Sequence, residues 1–321
     1  MSFSRNILSN KFREDFSHLI DMMRKFIVFI ITMLSMAAAH AQSFDSVPKE
    51  KTAILMVHFG TTYDDTRNAT IDAINEKTKE HFPGVTVVEA YTSRIIINRL
   101  EKRGIHKQTP QESLLRLAAD GYTHIIVQGT NVIDGIEAEV LRNDAKLMTP
   151  FFKEIRVGRP LLYSVDDCQN VVGILINRYG KNTQKNGALV LIGHGTSTPA
   201  NAVYSQIDYM LTADGAPQFH VATVEGYPTY ATTLARLKSS KTKSVTLVPF
   251  MFVAGDHARN DIDGEWREKF EKEGFKVSAI LEGLGQIPEI QDIYIDHIKD
   301  AFDAPVLDSA SQKSSYIKEN L

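Results

Sequence analysis

The stretch Ala53-Ile54-Leu55-Met56-Val57-His58-Phe59-Gly60-Thr61 returns 135 positions later as Ala188-Leu189-Val190-Leu191-Ile192-Gly193-His194-Gly195-Thr196. Each copy is a continuous apolar run of strand length that breaks at glycine, as expected of a strand buried on both faces in a parallel sheet. Working outward, Val88-Glu89-Ala90-Tyr91 is matched by Val224-Glu225-Gly226-Tyr227 at nearly the same separation, and Val132-Ile133-Asp134-Gly135 is matched more loosely by Val253-Ala254-Gly255. Shared order and shared spacing indicate one structural unit present twice.

Short apolar runs at 52–59, 85–90, 124–128, 188–193, 219–225 and 245–249 predict buried strands. Between them, apolar residues near helical spacing predict helices at 65–81, 200–211, 229–237, 259–272 and 288–302. The clearest helix starts at Thr109-Pro110-Gln111-Glu112, where an N-cap, a first-turn proline and a capping-box glutamate coincide, and closes at Gly121. Strand and helix in alternation give an α/β fold of two similar doubly wound, Rossmann-like parallel-sheet domains, 42–165 and 166–302. Residues 164–180 are expected to cross between them, the last helix to pack back on the first, and the carboxyl ends of both sheets to open on a common cleft.

With 321 residues, 43% hydrophobic and 23% charged, the chain can bury a substantial core and is not a disordered or collagen-like sequence. Lys+Arg 36 against Asp+Glu 39 leaves a formal charge of -3, without the basic excess of a nucleic-acid binder. The single cysteine, Cys168, forms no internal disulfide or multi-cysteine metal site, so any metal falls to His, Asp and Glu. Met22-Met23-Arg24-Lys25, the apolar run 26–36 and Ala39-His40-Ala41 have the layout of a secretory signal peptide cleaved after Ala41, with 1–21 an upstream extension. The apolar run is shorter than the roughly 20 residues needed to span a bilayer, and no cysteine marks a lipid anchor. The mature chain is therefore expected to be exported, periplasmic and without a membrane span, ending in a polar tail at 303–321.

Chemistry is expected where the second copy differs from the first. His194 sits just past a strand between two glycines, where Phe59 holds the matching place in the first copy. Glu225 is read as the end of the next strand, and His257 follows a third, so three strand ends of one domain present His, Glu and His. Two imidazoles and a carboxylate make a divalent-metal set with open positions. A hydrogen-bonded structural histidine and a helix-capping Glu225 are the plainer alternatives, and metal-dependent hydrolysis is the first activity such a trio suggests. Tyr and Phe residues near these ends read as core. No Gly-x-x-x-x-Gly-Lys-Ser/Thr, Gly-x-Gly-x-x-Gly, Gly-x-Ser-x-Gly or His-Glu-x-x-His motif is present, and the arginine of a phosphohistidine phosphatase is missing before His194.

His58-Phe59-Gly60-Thr61-Thr62, Gly193-His194-Gly195-Thr196, Val224-Glu225-Gly226-Tyr227-Pro228 and the long phrase from Pro249 through His257 to Asp261 together resemble the anaerobic, ATP-independent sirohydrochlorin cobaltochelatases. These are class II chelatases, similar in fold to ferrochelatase, and the resemblance runs in order over about residues 50–300. It implies insertion of Co2+ (or Fe2+, Ni2+ or Zn2+) into a tetrapyrrole between two domains without a nucleotide, in cobalamin or related tetrapyrrole metabolism. It also implies that His194, Glu225 and His257 are the metal-binding and catalytic positions. On the first-domain side it points to Gly60, Thr61 and Glu137 beside the tetrapyrrole, with Asn131 standing where a histidine would be expected.

Metallation releases two pyrrole protons as the cation enters, so the site must hold and release a metal and also accept protons. Imidazole and carboxylate serve both ends. Because exported chelatases are unexpected in a cytosolic pathway, a non-catalytic periplasmic tetrapyrrole or metal carrier stays open beside the enzyme, as do a hydrolase and assembly into a homo-oligomer.

Overall fold

All seven residues of the first strand, β1 (Thr52–His58), are buried, as coverage on both faces requires. The computed structural model describes residues 51–183 and 186–304, except for the side chain of His257. The expected extension, signal peptide and cleavage site, and the tail beyond 304, lie outside the described residues.

From β1 the chain runs through α1 (Asp64–Arg67), a π-helical turn (Asn68–Asp72) and α2 (Ala73–His81) into β2 (Thr86–Tyr91). Then come α3 (Arg94–Glu101), α4 (Pro110–Ala119), β3 (His124–Gly129), α5 (Ile136–Met148) and β4 (Glu154–Val157). Helix α6 (Val165–Tyr179) leads to the second copy: β5 (Gly187–Gly193), α7 (Ala202–Ala213), β6 (Phe219–Thr223), α8 (Tyr230–Ser239) and β7 (Ser244–Pro249). A π-helix (His257–Trp266) continues as α9 (Arg267–Lys272), and β8 (Lys276–Ala279) and α10 (Pro288–Asp303) close the described chain. The sheets have the orders β2-β1-β3-β4 and β6-β5-β7-β8, with every pairing parallel. The α/β class and the duplication expected from sequence are both present.

Local chemistry explains much of this. Thr109 caps α4 in a capping box, its Oγ1 taking the Glu112 N–H at 3.3 Å while the Glu112 carboxylate takes the Thr109 N–H at 2.8 Å. Such a cap stabilises a helix by about 1 kcal/mol. Edge strands β4 (EIRV) and β8 (KVSA) were not expected: each is four residues long and only partly buried, so neither needs an apolar run. Helix α5 has no side-chain cap and exposes Ile136, Val140 and Leu147, so its apolar residues do not trace one buried face. Residues 219–225 were expected as one strand, but β6 stops at Thr223, where the Thr223 N–H turns to the Pro228 carbonyl (2.8 Å).

Each sheet has its own core, built on Leu55, Val57, Ile125, Val127 and Leu141 in the first half and on Val190, Ile192, Leu247, Trp266 and Phe270 in the second. The halves are joined by Phe252, which follows β7 but stacks on His58 of β1 (centroids 6.1 Å, 24°) and meets Tyr294 of α10 edge-on at 5.6 Å. Helix α10 itself packs on β3 and α2 of the first half, and the Tyr294 hydroxyl donates to the Thr130 and Asn131 carbonyls. The C-terminal helix thus returns to the first half.

Burial pulls two histidines down to a pKa of about 4: His58, bonded to Thr130 and Asn75 at 3.1 Å, and His220 on β6, whose Nδ1 has no partner. Their folded values lie below the unfolded 6.5, so the unfolded chain takes up protons first. Stability is then fully present above pH 6.5 and is lost as pH falls toward 4. The expected loss between pH 7 and pH 5 is about 2 kcal/mol per histidine, measurable by urea unfolding at the two pH values. His220→Phe should remove its share of that difference; an unchanged pH dependence in this variant would contradict the assignment.

Candidate active site

In each sheet the chain leaves the central strand toward one side and returns on the other, which opens a crevice at the carboxyl ends of β1 and β3 and of β5 and β7. The loops bordering the two crevices meet. A Cβ on Gly255, beyond β7, would sit 3.3 Å from Thr61 Oγ1, beyond β1, and a Cβ on Gly135, beyond β3, would sit 3.8 Å from the Thr196 methyl, beyond β5. The central strand of each half is thereby set against the third strand of the other, and one cleft is shared.

His194 is exposed at the end of β5, with ring Nδ1 3.3 Å from the Gly195 carbonyl. Glu225 is also exposed and stands two residues past β6 rather than on it; its backbone N–H donates to the His194 carbonyl at 2.7 Å. Helix α8 is capped by Thr229, whose Oγ1 takes the Thr232 N–H, so capping is not the role of Glu225. Position 257 opens the π-helix well past β7, a rarer helical form often found at functional sites. The imidazole of His257 lies outside the described residues. Among the described residues, no group of three His, Cys, Asp or Glu comes together as a metal-binding set.

On the first-half side, Glu137 is exposed in the first turn of α5. Gly60 and Thr61 are buried. Gly60, at φ +99°, has the Tyr91 ring beneath it, and Thr61 Oγ1 accepts the Tyr63 N–H at 3.2 Å, so both shape the loop. The Asn131 carbonyl is taken by Tyr294 and by the Leu161 N–H. The expectation that aromatic residues near the strand ends are core fails for Phe59 and Tyr227, which are 50% and 54% exposed. Cys168 is buried, and burial raises its thiol to about 11, which keeps it protonated.

Sequence reasoning assigned no role to three supporting residues. Asn201 joins the loops beyond β5 and β6, accepting the Thr196 N–H at 3.1 Å and donating to the Tyr227 carbonyl at 2.6 Å. Tyr204 of α7 is buried under Gly193, where a Cβ would overlap its ring. Asp256 is held by Arg99 of α3 (2.9 Å).

Gly195 carries the closest approach in the site. It sits at φ +89°, and a Cβ there would overlap the Glu225 carbonyl oxygen, a backbone atom that cannot step aside. Gly195→Ala is expected to destabilise by at least about 2 kcal/mol and to weaken Co2+ binding, since both overlap and left-handed strain apply. Gly215→Ala, at φ +83° with nothing within 4 Å, should show the strain alone, about 1 kcal/mol. Chemical unfolding and Co2+ titration of the pair check this, and equal behaviour of the two variants would refute it.

Residues 52–303 match the family model described as cobalt chelatase (CbiK). The chain is 35% identical over 267 residues to the sirohydrochlorin cobaltochelatase of Salmonella typhimurium, covering 81% of this chain and 100% of that protein. It is 29% identical over 264 residues to the sirohydrochlorin cobaltochelatase CbiKC of Nitratidesulfovibrio vulgaris, covering 80% and 93%. In fold it is similar to SirB from Bacillus subtilis with Fe3+, at a TM-score of 0.57 and 18% identity over 78% of this chain and 95% of that one. With a family model spanning most of the chain and a relative one-third identical over its whole length, the duplicated sheets and their shared cleft have one assignment: this chain belongs to the CbiK cobalt chelatase family.

Proposed function

We propose that this protein is a sirohydrochlorin cobaltochelatase, inserting Co2+ into the tetrapyrrole without ATP in the cleft between its two halves. The observation that carries this reading is the meeting of two strand-end crevices, one of which presents His194 on a loop hydrogen-bonded through its backbone to the Glu225 loop, in a member of the cobalt chelatase family. Co2+ is a substrate, so the site must release it as well as bind it. His194, Glu225 and His257 form the metal set: two neutral imidazoles and one carboxylate lower the cation's charge in the cleft yet leave it open positions. Two pyrrole protons leave for each Co2+ that enters. Glu225 accepts one from the second-half side, and Glu137 stands ready on the first-half side. Gly60 and Thr61 hold the loop that brings the first half against Gly255.

Following the absorption spectrum of sirohydrochlorin with Co2+ tests this directly. His194→Ala and His257→Ala are expected to lose metallation by at least about a hundredfold, and His194→Ala should keep the fold, because an exposed loop residue contributes little to a core. Glu225→Gln keeps shape but removes charge and basicity, so turnover should fall more than tetrapyrrole affinity. Wild-type rates in all three variants would reject the metal set. A wild type that binds the tetrapyrrole but never metallates it would be a carrier.

We further infer export with cleavage after Ala41, supported by the basic start at Arg24-Lys25, the apolar run and Ala39-His40-Ala41. The exported protein should begin at Gln42 on N-terminal sequencing; a sequence beginning at Met22 or Met23 would rule this out.

A further inference from the structure

Helix α10 buries Ile290, Tyr294, Ile298 and Ala301 at helical spacing, and one of the four carries a hydroxyl. Tyr294 is wholly buried, and a buried phenol needs an acceptor. Its O–H meets two, the carbonyls of Thr130 (3.2 Å) and Asn131 (3.0 Å), which begin the loop between β3 and α5. Burial raises the phenol well above its usual range, so it stays a donor. The same loop is tied by the Leu161 and Leu162 N–H groups, which donate to the Asn131 (3.0 Å) and Val132 (2.9 Å) carbonyls. It ends at Gly135, which lies toward Thr196 of the second half, and Glu137 follows in the first turn of α5.

The ring of the same residue reaches the other half. It meets Phe252 edge-on at 5.6 Å, and Phe252 is itself buried, three residues past β7. The turn before α10 holds that segment from a second side: the Leu284 N–H donates to the Met251 carbonyl (2.8 Å) and the Gly285 N–H to the Phe252 carbonyl (2.9 Å). Gln291 of α10 holds the turn in place, its amide donating to the Gly285 carbonyl at 2.7 Å. A Cβ on Gly285 would come within 2.7 Å of the Phe252 ring, so the ring is closed in there as well. From Phe252 the chain runs through Gly255, against Thr61, to position 257.

One side chain thus holds the β3 loop of the first half by its oxygen and the β7 loop of the second half by its ring. We infer that Tyr294 is a positioning residue for metal insertion, setting the separation between the loop that leads to Glu137 and the loop that leads to position 257. This rests on the chelatase reading for the reaction it serves. Pyrrole protons leave as the cation enters, so the proton acceptor of one half and the metal set of the other must stand at a fixed separation. A misplacement of about 1 Å can cost about a hundredfold in rate. Removing the phenol oxygen would leave the Asn131 carbonyl its Leu161 donor but deprive the buried Thr130 carbonyl of its phenol, so the peptide there is expected to turn toward another donor.

The test uses the full-length protein. It reads kcat and KM for Co2+ insertion into sirohydrochlorin, Co2+ affinity without tetrapyrrole by calorimetry, and hydrogen exchange of the backbone amides at 131–137. Tyr294→Phe keeps the ring and removes one oxygen. Its kcat is expected to fall about tenfold with KM within about twofold, and exchange at 131–137 to quicken, while Co2+ affinity stays at the wild-type value. Tyr294→Leu removes the ring contact too and should add a loss of Co2+ affinity of about threefold or more. Phe302→Leu, at the other end of α10 where Phe302 stacks on Phe82 (5.8 Å), loosens the helix away from both loops and should leave kcat unchanged. Wild-type kcat and wild-type exchange in Tyr294→Phe would overturn the inference. An equal fall in kcat in Phe302→Leu would overturn it as well, since stability alone would then account for the effect. Exchange and Co2+ affinity are read without tetrapyrrole, so the hold of Tyr294 on the two loops is decided even if the wild type never metallates, an outcome that would sink the chelatase reading alone.

Discussion

A parallel sheet covered on both faces has only its strand ends left for chemistry. In β1 every residue is buried, and in β5 every residue after the first is. Nothing can reach the middle of either sheet, so a ligand must meet loops, and loops hold a geometry only when something fixes them. Here the two halves fix each other. Gly255 lies against Thr61, Gly135 lies toward Thr196, and the larger joint of Phe252, His58 and Tyr294 sets the distance behind them. The cleft exists because two crevices of the same construction meet across this joint.

Duplication alone would give a symmetric cleft, and one position accounts for much of the asymmetry. The last residue of β1 is His58, whose ring fills the space behind the loop, bonds to Asn75 and Thr130, and stacks on Phe252. The matching residue of β5 is Gly193. With no side chain there, the Tyr204 ring enters the space from α7. In the first half, then, the imidazole is inside and neutral, kept so by burial. In the second, the imidazole has moved one residue outward, to the exposed His194, and a buried phenol supports it.

The sequence made these elements legible to different degrees for physical reasons. β1, β3, β5 and β7 are central or nearly so, buried on both faces, and announce themselves as apolar runs. α4 announces itself because its cap is built from adjacent residues, Thr109 to Glu112. By contrast β4 and β8 take their identity from a neighbour's hydrogen bonds, and α5 from the strand before it, so local sequence has little to say. The same division holds in the site. His194 was readable as a departure from the repeat and Glu225 as part of it, whereas Asn201 acts through hydrogen bonds to the backbone of two loops and Tyr204 through the space that Gly193 leaves, and nothing in their own neighbourhood marks them. The half-exposure of Phe59 was misjudged because an aromatic residue after a buried strand is ordinarily core. Only the second half, meeting it across a cleft, explains why it is not.

The rim of the cleft carries charge pairs that join the halves: Arg99 with Asp256 at 2.9 Å and Arg259 with Asp65 at 2.8 Å, the latter guanidinium lying 4.2 Å over the Tyr63 ring. Exposed pairs of this kind contribute about 0–1 kcal/mol each, too little to hold two domains together beside a buried aromatic joint. Their effect is positional. Asp256 and Arg259 lie on either side of position 257, so residues of α1, α3 and the β1 loop in the first half fix the backbone from which the second half's π-helix begins. A proposed ligand of one half is therefore placed by side chains of the other. A cut between the halves would remove these supports from position 257 even if each sheet kept its fold.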